Sequence, residues 1–215
     1  MQLVATLVVL CAALFIARYS WVLPDGAEPT PLTSEAERAF YDLRAYYAAD
    51  LVEQDDRVVL VVYTDQTLIN ARKRSPLDRG MLARALRNLD GMGAKAIGID
   101  ILFDQPQDED AQLIETLRAM QTPVGVAYAN LATNKDDIVY EQQQYLEAFQ
   151  AELAGSKSRP ASIRLDNTFG ATRVWPGLVE GLPPLLGRAL LADAGQSAPA
   201  FRAYEGAIDY RRPKF

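Results

Sequence analysis

The sequence predicts an α/β fold, a mostly parallel sheet covered by helices around a βαβαβ core, preceded by an N-terminal transmembrane helix. Three observations predict it. Residues 3–17 run without a charge. Three apolar segments of strand length, at 57–63, 94–103 and 123–129, alternate with two stretches of helical periodicity. The connections between those segments are long enough for crossovers, which parallel strands require.

The first element is "LVATLVVLCAALFIA", ended by Arg18. A spanning helix needs ~20 apolar residues. Arg18 can snorkel, and Tyr19 and Trp21 suit an interfacial belt, so the expected anchor covers residues 1–23. A signal peptide is the rival reading, but Met1-Gln2 carries no positive charge and no A-x-A site follows. A soluble core helix would show a polar face, and this run shows none. Cys11 lies in the run and is the chain's one cysteine, which excludes an intrachain disulfide.

Residues 24–33 hold three prolines and a glycine and read as a linker. Ser34 with Glu37 makes a capping box for a membrane-proximal helix reaching about Asp50. Its stripe of Phe40, Leu43 and Tyr47 is expected to face a core. "RVVLVVY", residues 57–63, reads as a strand buried on both faces. Ser75 as N-cap and Pro76 at the first helical position then start a helix whose inner face is Met81, Leu82, Ala85, Leu86 and Leu89. Gly91 or Gly93 stops it. "AKAIGIDILF", residues 94–103, is the second strand. A helix from Asp108–Asp110 follows, with Leu113, Leu117 and Met120 inward, and "PVGVAYA" at 123–129 is the third strand.

Residues 131–160 are polar and read as an insertion within a domain spanning 34–210. "SIRLDNTFGATRV", residues 162–174, reads as a hairpin through an Asn/Gly turn. Pro183 and Pro184 open a helix that Gly195 closes. "GAIDYRRPKF" holds a short strand, with residues 211–215 beginning a juxtamembrane segment.

Composition excludes several functions. The formal net charge is −6, unlike the basic face of a nucleic-acid binder. The chain has no histidine, which removes every Ser-His-Asp and Cys-His mechanism and the commonest metal ligand. Acids nonetheless gather after the strand segments: Asp65, Asp100, Asp104, Asp108, Glu109 and Asp110. In an open parallel sheet, ligands bind beyond the carboxyl ends of the strands. Asp78 and Asp108–Asp110 also fit ordinary helix starts, where free N–H groups and the macrodipole favour acids. Asp100 interrupts an apolar strand, so a covered position would need a partner, and Arg79 is the candidate.

The order of these pieces resembles the second class of CHASE-type domains, the sensory extracellular domains of bacterial cyclases and histidine kinases. The resemblance runs from about residue 40 to about residue 210. It rests on a strand segment leading to Asp65, Pro76 and Arg79 at a helix start, Gly93-Ala94-Lys95, Asp100 to Phe103, and Asp110. "FGATRVWPGL", with Gly170 and Arg173, and "AIDYRRP" are similar to its later segments. Ser75 stands where the family carries an aromatic residue, and Asp166 and Gly170 are spaced differently.

The resemblance implies an extracytoplasmic input domain without catalysis or cofactor. It would be held in the cell membrane and transmit an unknown small-molecule or ionic stimulus to a cytoplasmic cyclase or kinase. Asp65, Arg79, Asp100 and Asp104 are the expected ligand edge. A homodimer is compatible with such an input, and no nucleic-acid partner is expected. Two other classes stay open: a magnesium-dependent phosphohydrolase using Asp65 and Asp100, and a structural or dimerisation module.

Overall fold

The apolar N-terminal run folds as helix α1 (Gln2–Trp21). A computed structural model describes residues 2–21, 31–53, 55–72, 77–134, 138–165, 171–196 and 204–214. The described α1 side chains, residues 4–16, are all exposed. At 1.5 Å per residue the 20 residues of α1 extend ~30 Å, comparable to a bilayer's hydrocarbon core, with side chains described over residues 4–16. Among the described residues no helix is long and apolar enough to cross a membrane.

Two units divide the chain, residues 1–59 with 209–215, and residues 60–208. In the first, α2 (Pro31–Ala48) starts earlier than the expected capping box at Ser34, because proline's fixed φ suits a first helical position. The side chains of Ser34 and Glu37 and most of the expected linker lie outside the described residues. A short strand β1 (Leu51–Val52) pairs in parallel with the chain's last strand, β5 (Arg212–Pro213). The Arg212 N–H donates to Asp50 O at 3.0 Å and the Lys214 N–H to Val52 O at 2.9 Å. The closing strand therefore falls inside the basic tail rather than before it. Arg212 also stacks over the Tyr46 ring at 4.6 Å.

The second unit is built on a sheet of three parallel strands, β2 (Ile97–Ile99), β3 (Val124–Tyr128) and β4 (Ser158–Ser162), in that order. Ile97 registers with Val124, and Val124 with Ser158. Between β2 and β3 runs α5 (Asp110–Ala119); between β3 and β4 run α6 (Leu131–Asn134) and α7 (Tyr140–Glu152). A βαβαβ core is thus present, but one unit further along the chain than expected. Pro160 sits in β4, an edge strand, where a missing N–H is tolerated.

Residues 57–63 are not part of this sheet. Val58 to Val62 carry no ladder and are 60–83% exposed. Local bonds claim both ends of the run. The Val58 N–H donates to Asp55 O at 3.2 Å. Thr64 caps α3 (Asp65–Ala71), exchanging bonds with Thr67 in a capping box. Of the expected hairpin at 162–174, Ser162 bridges Leu185 in parallel and Val174 bridges Ala207 antiparallel, and among the described residues no bridge joins the two arms. The turn itself, including Asp166 and Gly170, lies outside the described residues.

One face of the sheet packs on α4 (Arg79–Gly91), α5 and α7 through Leu82, Leu86, Leu113, Leu117, Val124, Val126, Phe149 and Leu153. The stretch expected as a polar insertion thus supplies core: Leu146, Phe149 and Leu153 are all but inaccessible. Their i, i+3, i+7 spacing is a helical stripe hidden among glutamines. On the other face α8 (Leu186–Asp193) lies across the three strands. It approaches closely because β2 and β3 offer glycine there: a Cβ on Gly125 would stand 2.8 Å from a Leu186 methyl, and one on Gly98 2.8 Å from a Leu190 methyl. Gly93 (φ 77°) and Gly195 (φ 69°) end α4 and α8 in the left-handed region.

Candidate functional site

In a parallel sheet with helical crossovers, the strand ends and the helix starts that follow them share one edge. That edge is formed here by the end of β2, the loop 100–109 and the first turn of α5, with the start of α4 and α7 alongside. Asp78 caps α4, accepting from the Met81 N–H at 2.7 Å, which corrects the expected Ser75 cap; Ser75 and Pro76 lie outside the described residues. The first helical residue is therefore Arg79, and its side chain is only 2% exposed.

Arg79 does not pair with Asp100. Its Nη1 donates to Asp110 Oδ1, forming a salt bridge between the first turns of α4 and α5. Its Nη2 donates to the Gln105 carbonyl at 2.7 Å. The guanidinium lies 5.1 Å from the Phe103 ring centroid, 5.9 Å from Phe149 and 6.0 Å from Tyr145, an aromatic enclosure that suits a weakly hydrated cation. Arg79 Nε is buried without a partner. Asp110 also closes its own loop, accepting from the Gln107 N–H at 2.9 Å and from the Tyr145 hydroxyl. Asp110 is expected among the acids after the strands and as a helix-start acid, not as the partner of Arg79, and Tyr145 is not anticipated at all.

Asp104 is half-buried and accepts from Gln142 Nε2 at 2.6 Å. Gln142 and Tyr145 stand one turn apart on α7, so that helix grips two carboxylates, Asp104 in the loop 100–109 and Asp110 at the start of α5. The signal for both was present as polar residues flanking the apolar stripe of α7. Asp100, at the end of β2, is exposed and forms no ion pair among the described residues, so it needs no buried partner. Asp65 is exposed in the first turn of α3, and no described bond joins it to the other three. The structure thus gathers Arg79 and Asp104 about one loop with Asp100 at its start, and shows no bond from Asp65 to any of them.

Two tyrosines border this edge. Burial pushes the Tyr128 hydroxyl, at the end of β3, above its ordinary pKa, with Glu147 adding to the rise. Burial also raises Tyr63, with a further push from Asp78. Among the described residues no three Cys, Asp or Glu side chains converge to hold a metal ion.

A second polar cluster lies past the end of β4. Buried Arg188 donates to the carbonyls of Pro176, at 3.3 Å, and Tyr204, and stacks on Trp175 at 5.9 Å. The space beside it, lined by Ser162, Arg164, Leu178 and Leu185, is about 20 Å³, room for one water rather than a metabolite.

Residues 7–204 match the family model described as CHASE2 domain. No curated protein and no solved structure matches the chain.

Proposed function

The chain belongs to the CHASE2 domain family, a family of extracellular sensory domains, and from that premise we propose that it is the extracytoplasmic input portion of a bacterial membrane receptor. The observation that carries the reading is the extent of the match, which takes in every strand of the sheet and the whole loop 100–109. In this reading α1 is the membrane anchor, since its described side chains are uncharged, apolar save for Thr6, and exposed along the whole stretch. The stimulus binds outside the cytoplasm and its effect passes through the flanking helices to a nucleotide cyclase or sensor kinase module. The portion described here performs no catalysis of its own.

The stimulus edge is the rim formed by Asp100, Asp104 and the loop that Arg79 supports from behind. Arg79 is already neutralised by Asp110, so the charge this rim offers a ligand is negative, from Asp100 and Asp104. A ligand rich in hydrogen-bond donors fits it.

Thermal-shift screening of the purified chain against metabolite and ion panels tests the proposal. A ligand at a hundred times its dissociation constant adds ~2.7 kcal/mol to a state it binds selectively. Asp100→Asn should abolish the shift while leaving the unliganded melting temperature nearly unchanged; Asp104→Asn should abolish it too, with some loss of unliganded stability as its bond to Gln142 weakens. Panels that leave the wild-type chain unmoved would favour a structural or dimerisation module instead.

A further inference from the structure

Helix α2 carries its apolar side the wrong way round for a helix that packs only on its own chain. At ~100° per residue, Ala36, Phe40, Leu43 and Tyr47 fall within one narrow stripe. All four are exposed, Phe40 at 73%, Leu43 at 52% and Tyr47 at 72%. The half-buried face lies opposite and holds Arg38, Tyr41 and Ala45. Adding Ala39 and Tyr46, both exposed, completes a pattern that occupies positions a, d and e of two heptads.

We propose that this stripe is a homodimer interface, on which the α2 helices of two copies pack side by side in parallel. Area favours a second copy. Aromatic side chains bury ~150–250 Å² each, so the exposed fractions of Phe40, Leu43, Tyr46 and Tyr47 offer roughly 500 Å² per copy. Two copies together reach about 1,000 Å², the size at which specific interfaces begin. The stripe's own side chains carry no charge, with Arg212 stacked on Tyr46 at its edge, and are rich in the aromatic residues that anchor interfaces. Charge also selects the orientation. Asp42 lies on the g flank, and a parallel pair sets g beside e, where Phe40 and Tyr47 stand. An antiparallel pair would set the two Asp42 flanks against each other. The inference stands on α2 alone and does not depend on the stimulus edge.

The full chain in a mild detergent, weighed by sedimentation velocity, should be dimeric at micromolar concentration. Phe40→Asp with Leu43→Asp should raise the dissociation constant at least ~100-fold with the far-ultraviolet circular dichroism unchanged. Cross-linking gives a second readout that does not depend on that variant folding. In a Cys11→Ser background, Ala36→Cys and Leu43→Cys should each form an intermolecular disulfide, and Ala45→Cys on the covered face should not. A monomeric wild-type chain, whether the stripe is covered by the rest of the chain or by detergent, would overturn the proposal. So would a dimer that survives the double aspartate variant, equal cross-linking at Ala45→Cys, or cross-linking at only one of positions 36 and 43.

Discussion

Replacing Asp110 by asparagine should damage the fold more than replacing Arg79 itself. Arg79 is 2% exposed and Asp110 16%. In Asp110→Asn the guanidinium keeps the Gln105 carbonyl and its aromatic walls but has no counter-charge and no access to water. Stranding one member of a buried pair typically costs ~3–5 kcal/mol. In Arg79→Met the carboxylate keeps the Gln107 N–H and the Tyr145 hydroxyl, and its open edge can hydrate, so the cost falls to about 1–3 kcal/mol. With both substitutions no buried charge remains. The double variant should then sit near Arg79→Met alone, a coupling of about 3–5 kcal/mol, the whole cost of Asp110→Asn. Urea titrations of the full chain, read by the fluorescence of Trp175 in the same unit, give all three differences. For a domain of this size a 4 kcal/mol loss lowers the melting temperature by roughly 8–16 °C. If Asp110→Asn costs under ~1 kcal/mol, or the two single effects add to the double within ~0.5 kcal/mol, the pair is not the buried clamp described here.

Three further outcomes follow from single contacts. Asp78→Ala removes the cap on the Met81 N–H and should cost about 1 kcal/mol, whereas Asp78→Ser should recover most of it in the same urea titration. Gly125→Val would drive a side chain into Leu186 and lift α8 from the sheet, for a loss of about 1–3 kcal/mol; an unchanged urea midpoint would mean that α8 does not lie on that face. Asp90 accepts the Thr122 N–H at 2.7 Å and the Gln121 N–H at 3.1 Å, and these bonds hold its carboxyl below the ordinary 3.8. Its contribution is therefore complete above pH 3.8 and is lost as pH falls through the lower folded value. The group keeps partial contact with solvent, so the effect stays under ~1 kcal/mol; Asp90→Asn should flatten the wild-type decline below that pH, and parallel stability curves for the two proteins would refute the assignment.

The parts of this fold legible in the sequence are those where a local pattern and a buried face coincide. The strands at Ile97–Ile99 and Val124–Tyr128 are short apolar runs between clear helices, and Leu113, Leu117 and Met120 are buried as their spacing implies. The stretch 57–63 has the same composition, but composition sets only a preference for extended backbone. Whether a ladder forms depends on partners, and here a turn at Asp55 and a cap at Thr64 take the run's ends. The third strand escaped notice because "SRPAS" is polar and contains proline, and only an edge position makes that acceptable. At the site, Arg79 stood out through its place at a helix start, while its partner did not. Asp100 and Asp110 are both acids near the same loop, and choosing between them needs the crossing of α4 and α5, which no spacing rule supplies.

The two carboxylates that α7 grips are held with unequal strength, and that inequality locates where a stimulus can act. Asp110 is tied to a buried arginine, a peptide N–H and a tyrosine, and displacing it exposes a ligand to the full cost of a stranded charge. Asp104 is half-buried and has one described bond, from the Gln142 amide. A hydrogen bond to a charged group is worth ~1.5–3 kcal/mol. A ligand that substitutes for Gln142 on Asp104 therefore needs a differential affinity of only ~10–150-fold to release that end of α7 while the Arg79–Asp110 clamp holds. The buried pair keeps the loop in place as a fulcrum, and the weaker bond is the element that can have two arrangements. In the proposed sensory reading, Asp104 is thus the residue through which occupancy of the rim becomes a movement of α7, and Arg79 is a support rather than a ligand contact.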